Sequence, residues 1–250
     1  MEELGAIDTL KKSFNILMDD PGIILLYALP AIIGIVMAFH MISAAGWTAM
    51  GTGLMGGAGG QMGTPAQINS GYPMIMTILP MLIIYTILGL IVSVIVMAAA
   101  ILKIDAFEGN RHMELTDSIS RGLPFFIPLL ISNILVALII GFGLILLIIP
   151  GIYFALRLSL FGPVCVLETG DVGCIRRSWD LTRGRIWKIL GIMTLLMVLS
   201  LVFSMIPVVG SLLSTLVVNP LYIASMTLVY FDAKRAEQGV MIDNIPQGAI

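Results

Sequence analysis

The sequence predicts an all-α polytopic membrane protein, a single integral membrane domain over residues 1–250 with about six spanning helices arranged as three hairpins. Three observations carry that prediction. The chain is 58% apolar and only 11% charged, with a mean hydropathy of +1.04, where a soluble domain has roughly 45–50% apolar and about 25% charged residues. No Asp, Glu, Lys or Arg occurs in Pro21–Leu102, Gly122–Leu156 or Ile189–Phe231, and a hydrocarbon core of about 30 Å takes roughly 20 apolar residues per helix. These runs also lack the alternation of a barrel strand, so helices are the way their backbone can satisfy its own hydrogen bonds in lipid.

The elements follow in order. Residues 3–20 read as an interfacial amphipathic helix. The first span, 22–43, is longer than the 7–15 residues of a signal-peptide core and begins after Asp19-Asp20, so it reads as an uncleaved anchor. Residues 44–73, with nine glycines and no charge, read as an outer loop; they contain no Gly-Lys-Ser/Thr, which excludes a phosphate-cradling loop. The remaining spans are placed at 76–102, 124–146, 150–167, 187–207 and 211–231, with breaks where Gly and Pro cluster at Gly141–Gly151 and Pro207–Gly210. A tail of 232–250 follows. Twelve of the thirteen basic residues fall in the segments on one side of these spans, which predicts a multi-pass protein of the plasma membrane with both termini in the cytoplasm.

Each hairpin is introduced by a charged segment. Five of the thirteen Lys and Arg lie between Arg176 and Lys188, in RRSWDLTRGRIW, where Val172, Ile175, Trp179, Thr182 and Ile186 recur at three- and four-residue spacing. That is an amphipathic helix. KKSFNIL at Lys11–Leu17 repeats RRSWDLT position by position, and LTDSISRG at Leu115–Gly122 is a shorter third version, so the chain reads as two or three copies of one unit. Placed in the headgroup plane, Lys11, Lys12, Arg176, Arg177, Arg183, Arg185 and Trp179 are candidate contacts for anionic lipid. With membrane spans on both sides, the basic run does not read as a nucleic-acid patch. Asp105, Glu168 and Asp232 end the even-numbered spans near a glycine. They read either as ordinary polar helix ends or as a ring of carboxylates from the repeats.

Arg157 is the one residue of fixed charge within a span. A charge there costs roughly 2.5–3.5 kcal/mol unless paired, hydrated or snorkelling, so it either reaches the outer headgroups or faces inward to bind something or lock the bundle. On a continuous helix it would share a face with Glu168, eleven residues on and about 16 Å away. Pro163 between them frees the carbonyl of Ser159 and predicts a kink at Gly162-Pro163; Asn219-Pro220 and Pro30 predict similar breaks. Arg157, Asn219, Ser159 and Asn133 are therefore the candidate intramembrane binding or locking residues, around a cavity if the broken helices line one.

No catalytic constellation is legible. His40 and His112 stand apart from Cys and from each other, so neither a metal nor a cofactor is expected. No Ser-centred elbow or intramembrane carboxylate pair is present, and an enzyme is not expected. Cys165 and Cys174 fall near the reducing side, where a structural disulfide is not expected. Two functions stay open. The first is a membrane-organising or accessory subunit whose interfacial helices bind anionic lipid or a protein partner, a second copy of the chain or another membrane protein. The second is a transporter or channel-like protein with a cavity at Arg157.

The pattern IIPGIYFALRLSLFGPVCVLETG, then RRSWDLTRGRIWKILG, then LVYFDAKR, over Leu147–Arg235, resembles a family of uncharacterised archaeal and bacterial six-helix membrane proteins. Related patterns occur in YciC-like proteins and in the membrane portion fused to some glycerophosphodiester phosphodiesterases. The resemblance implies a membrane fold and no particular activity. No phosphodiesterase domain is present for that chemistry to transfer.

Overall fold

A computed structural model describes residues 5–55, 71–169, 173–206 and 209–243. The centre of the glycine-rich segment, Gly170, Val172, Pro207 and the end of the tail lie outside them. All regular structure among the described residues is helical, with no strand. Six stretches are long and apolar enough to cross a membrane: Pro21–Met41, Leu79–Glu108, Leu115–Leu146, Ile148–Glu168, Ile186–Ser204 and Val209–Gln238. The chain is an all-helical, multi-pass membrane protein. Large apolar side chains such as Phe39, Ile84, Phe142 and Met197 are exposed along these stretches, as lipid-facing surfaces require.

The chain divides into two compact units, Leu29–Ser93 and the rest. The smaller unit holds most of helix α3 (Ala28–Met55) and the first part of α4 (Gly71–Glu108). Within it the Nδ1 of His40 lies 2.9 Å from the hydroxyl of Tyr85 and 2.9 Å from the carbonyl of Val36. Residues 44–55, read above as the start of the outer loop, continue α3 instead. Once a helix is nucleated, each further residue adds one bond at little extra cost, so the helix runs on past the end of the most apolar stretch.

The larger unit begins with α1 (Ala6–Asp19) and α2 (Pro21–Leu26). Asp20 separates them and accepts a 3.1 Å hydrogen bond from the amide of Gly22; with Pro21 pre-set at the first helical position, this is a capped helix start. Residues 115–122 form α5, which passes through a 3-10 turn at Leu123–Phe125 into α6 (Phe126–Leu146). Leu147 is extended, and α7 (Ile148–Arg157) folds back along α6.

Span 4 is not one helix. After α7 come a turn at 158–160, a short α8 (Phe161–Val164) and a π-helical turn, Cys165–Thr169. Pro163 cannot donate to the carbonyl of Ser159 and its ring crowds that turn, so the break falls one turn before the proline rather than at it. The face shared by Arg157 and Glu168 on a continuous helix is lost with it. Residues 174–181 form α9 and 186–204 form α10, joined by a turn in which Gly184 has φ +80°, a conformation that a Cβ would oppose.

Span 6 repeats the theme: α11 (Val209–Leu213), a π turn at Ser214–Val218, then α12 (Asn219–Asp243). Pro220 removes a donor from the ladder, and the wider turn just before it takes up the mismatch. The helix then continues past 231, so residues 232–243, read above as tail, extend α12. Ion pairs along this extension, described below, hold it to the bundle.

The core of the larger unit gathers small side chains. Ala98, Ala99 and Ala100 of α4 and Ala224 of α12 are fully buried, and a Cβ on Gly122 would lie 3.2 Å from Ala98. Helix α1 packs on α12 through Thr9, Ser13, Ile16 and Leu17, with Ser225 donating to the Oγ of Ser13 at 3.0 Å. Its opposite face leaves Ile7, Phe14 and Met18 exposed.

Lys103 is the most buried cation among the described residues, at 6% relative exposure. Its ammonium lies 2.7 Å from Asp20 and donates to the carbonyl of Met113 at 2.9 Å. It thereby ties the start of span 1, the end of span 2 and the loop before α5 into one junction. Removing one partner of a buried pair costs roughly 3–5 kcal/mol. Because Asp20 retains some exposure, Lys103→Ala is expected to cost about 3 kcal/mol, at the low end of that range. Thermal unfolding of the purified protein in detergent measures this; an unchanged midpoint would mean that water replaces the ammonium.

Candidate functional site

The charged segments gather at one end of the larger unit. There α9 rests against spans 3 and 4. Its buried face is Cys174, Ser178, Leu181 and Thr182, one step round from the stripe read in the sequence, of which Ile175, Trp179 and Ile186 are half-buried, while Arg176, Asp180 and Arg183 are exposed. Cys174 lies with its Sγ 3.2 Å from the Oγ of Ser132 on α6. Cys165 is also buried.

Arg157, the last residue of α7, is held by this helix. Its Nη1 donates to the carbonyl of Trp179 at 3.2 Å and its Nε to the hydroxyl of Tyr153 at 2.9 Å. The guanidinium carbon stands 5.2 Å from the Trp179 ring and 5.3 Å from that of Tyr153, within cation–π range of both. The reverse contacts run through the backbone: Ser178 and Thr182 donate to the carbonyl of Arg157 at 3.1 and 3.3 Å. The two helix ends therefore satisfy each other's orphan carbonyls, and the positive charge lies in the last turn of α9, where the helix dipole favours it. Only about 15 Å of helix separates Leu147 from Arg157, so α9 meets span 4 halfway along and not at its end. The guanidinium is turned toward α9.

The three carboxylates that end the even-numbered spans each face a base. Asp105 lies 3.3 Å from Arg111, Glu168 lies 3.0 Å from Arg177 and Asp232 lies 2.7 Å from Lys188. Arg177 also engages Glu237, Nη1 to Oε1 at 3.0 Å, and these hydrogen bonds, Glu237 first and Glu168 second, hold its guanidinium above its ordinary pKa. Lys12 lies 2.6 Å from Glu108. Open carboxylates gathered together would repel one another; each of these three instead lies beside a base.

The remaining candidates are scattered. Ser159 is buried and donates to the carbonyl of Leu156 at 2.8 Å, Asn133 is half-buried on α6, and Asn219 is exposed at the start of α12. None of the three is a described hydrogen-bond partner of Arg157. Among the lipid-contact candidates, Lys11, Arg176 and Arg183 are exposed without an ion pair among the described residues, whereas Arg177 and Lys12 are paired and Trp179 packs on Tyr153 and Phe154 with ring centroids 5.8 and 6.0 Å apart. Arg185 is half-buried. Sequence reasoning missed the Asp20–Lys103 pair, Glu237 and the Ser13–Ser225 contact. The signal for the last was present, since Thr9, Ser13, Ile16 and Leu17 recur at helical spacing. Among the described residues no three His, Cys, Asp or Glu side chains gather to hold a metal ion.

Both sides of this junction, α7 with Arg157 and α9 with its carbonyl, fall in the stretch that resembles known proteins. Residues 125–242 match DUF7847, a domain of unknown function. The DUF7847 stretch covers everything from the start of span 3 to the ion-paired extension of α12. The chain is also 28% identical, over 141 residues, to a UPF0259 membrane protein of Pectobacterium carotovorum subsp. carotovorum (strain PC1). That match covers 52% of this chain and 56% of the relative, so the chain spans about half the length of the curated protein it resembles. No solved structure matches. The resemblance to uncharacterised membrane proteins read from Leu147–Arg235 lies inside the DUF7847 stretch.

Proposed function

We propose that this protein is a non-catalytic membrane-organising or accessory subunit whose charged end faces the cytoplasm and binds anionic lipid. The observation that supports this reading over transport is the placement of Arg157. A residue serving a substrate pathway would present its guanidinium to a cavity beside Asn219 or Glu168; here it is bonded to Trp179 and Tyr153, and Glu168 is taken by Arg177. Its work is to hold α9. Of the lipid-contact candidates, that leaves Lys11, Arg176 and Arg183 as exposed cations without an ion pair among the described residues, with exposed apolar side chains such as Phe14 that suit insertion at the headgroup boundary.

Each basic residue near an anionic surface contributes about 1 kcal/mol, so three together favour anionic over zwitterionic lipid by roughly a hundredfold. Neutralising Lys11, Arg176 and Arg183 to Gln is therefore expected to bring the ratio of anionic to zwitterionic lipid carried through purification down to that of the surrounding mixture. Lipid extraction and mass spectrometry read the ratio. An unchanged ratio in the triple variant would remove the lipid reading and leave a protein partner as the occupant of this end.

A further inference from the structure

An open groove of about 420 Å³ lies between α6, α7 and α9, lined by Ile139, Phe154, Leu158, Ile175, Arg176 and Trp179. That size is in the range of roughly 300–1,000 Å³ seen for small-molecule sites. Ile139 and Phe154 lie eight residues before and seven after Leu147, so both are about 10–12 Å along their helices from the α6–α7 turn, at hydrocarbon depth. One side is stiffened by the Phe154–Trp179 contact and by the guanidinium of Arg157 over the Trp179 ring. Arg176 is the one charged residue of the lining among the described residues. Its neighbour Arg177 is bonded to two carboxylates, but Arg176 is exposed and has no ion pair among the described residues.

The chemistry of the lining selects its occupant. A small soluble anion would gain nothing from the apolar length of the groove, and a neutral chain nothing from Arg176. A peptide would bring backbone donors and acceptors to walls that, Arg176 apart, offer them few partners, at a cost for each one left unmet. A molecule with one anionic end and one aliphatic end satisfies both parts, and a guanidinium fork suits a phosphate. We propose that the groove holds one acyl chain of an anionic phospholipid whose phosphodiester sits on Arg176, giving one specific lipid per chain. This proposal rests on the reading of the charged end as a surface for anionic lipid and names the site within it.

The test uses the full-length protein in detergent, with phosphatidylglycerol or phosphatidylcholine added and native mass spectrometry as the readout. The wild type is expected to keep a single phosphatidylglycerol as a discrete species and no phosphatidylcholine. Arg176→Gln removes the phosphate partner, and Ile139→Trp, at an exposed position, fills the groove while leaving every charge in place; each is expected to lower occupancy at least tenfold. Arg121→Gln, at an exposed cation outside the groove lining, is expected to leave the discrete species intact. In a Trp47→Phe, Trp187→Phe background, phosphatidylglycerol with brominated chains is expected to quench Trp179 at one equivalent, a measurement that needs no groove variant to fold. If Ile139→Trp keeps full occupancy or brominated chains leave Trp179 unquenched, the groove is not the site. In that case a lipid ratio that still depends on Lys11, Arg176 and Arg183 preserves the broader reading, and one that does not removes both.

Discussion

Arg157→Ala is expected to destabilise the protein by about 2 kcal/mol, from terms of opposite sign. A hydrogen bond from a charged group contributes about 1.5–3 kcal/mol, and a carbonyl stranded without its donor costs about 1–3. The two aromatic faces at 5.2 and 5.3 Å add roughly 0.5–1 kcal/mol each at a partly exposed site. Against these stands the roughly 2.5–3.5 kcal/mol that a cation costs within a span and that alanine recovers. The bonded terms win by a small margin because the guanidinium is bonded both to the end of α9 and to Tyr153. For a chain of this size about 2 kcal/mol corresponds to a fall of roughly 4–8 °C in the unfolding midpoint, and amide exchange should rise first in residues 174–182. Arg157→Lys keeps the charge without the fork and should fall between the two. A variant as stable as the wild type would mean that desolvation cancels the contacts, and the locking role would go with it.

A larger effect is expected where α6 and α7 cross. A Cβ on Gly151 would stand 2.7 Å from the amide nitrogen of Leu144 and 2.6 Å from its side chain. One on Gly143 would stand 3.0 Å from the Cα of Gly151. Small residues facing each other are what let spanning helices approach this closely. Backbone cannot yield as a flexible side chain would, so Gly151→Leu should force the helices apart and cost more than about 3 kcal/mol, beyond the usual range for overpacking. The phase of α7 would change with the crossing, and Arg157 would leave the reach of Trp179. The expected result is loss of a monodisperse elution peak or a midpoint lowered by more than 10 °C, on the order of three times the shift for each kcal/mol. Gly34→Leu, where a Cβ would meet nothing within 4 Å, serves as the tolerated control. Equal behaviour of the two would show that the crossing relaxes.

Much of this molecule is legible without coordinates, for reasons that particular residues make plain. The absence of charge from Pro21 to Leu102 is a statement about solvent, since lipid admits few other compositions, and so six membrane-crossing stretches are legible in the chain. Proline chemistry is local too: Pro163 and Pro220 each announced an irregular turn, although the break fell one turn earlier than the proline itself because the lost bond belongs to the residue four positions back. The helix formed by RRSWDL is likewise written in its periodicity. Helix ends were less legible. Residues 44–55 and 232–243 are helical although the glycines of the first and the charges of the second suggested otherwise, because helix propagation and distant ion pairs such as Lys188–Asp232 carry a helix past the end of its apolar stretch.

What the chain determines by itself is therefore its solvent, its spans and the existence of a charged amphipathic segment between the fourth and fifth of them. Which of two adjacent arginines is structural and which is available was decided only by the fold. Arg176 and Arg177 are identical as residues and as neighbours, but one helical step of about 100° turns Arg177 toward Glu168 and Glu237 and leaves Arg176 at the edge of a groove. Arg157 shows the same division: Tyr153, one helical turn away on α7, is a local partner, but only the packing of α9 on α7 could name Trp179. Solvent preference is a sum over local composition, whereas the partner of a single charge depends on contacts between residues far apart in the chain, which folding alone brings within hydrogen-bond reach.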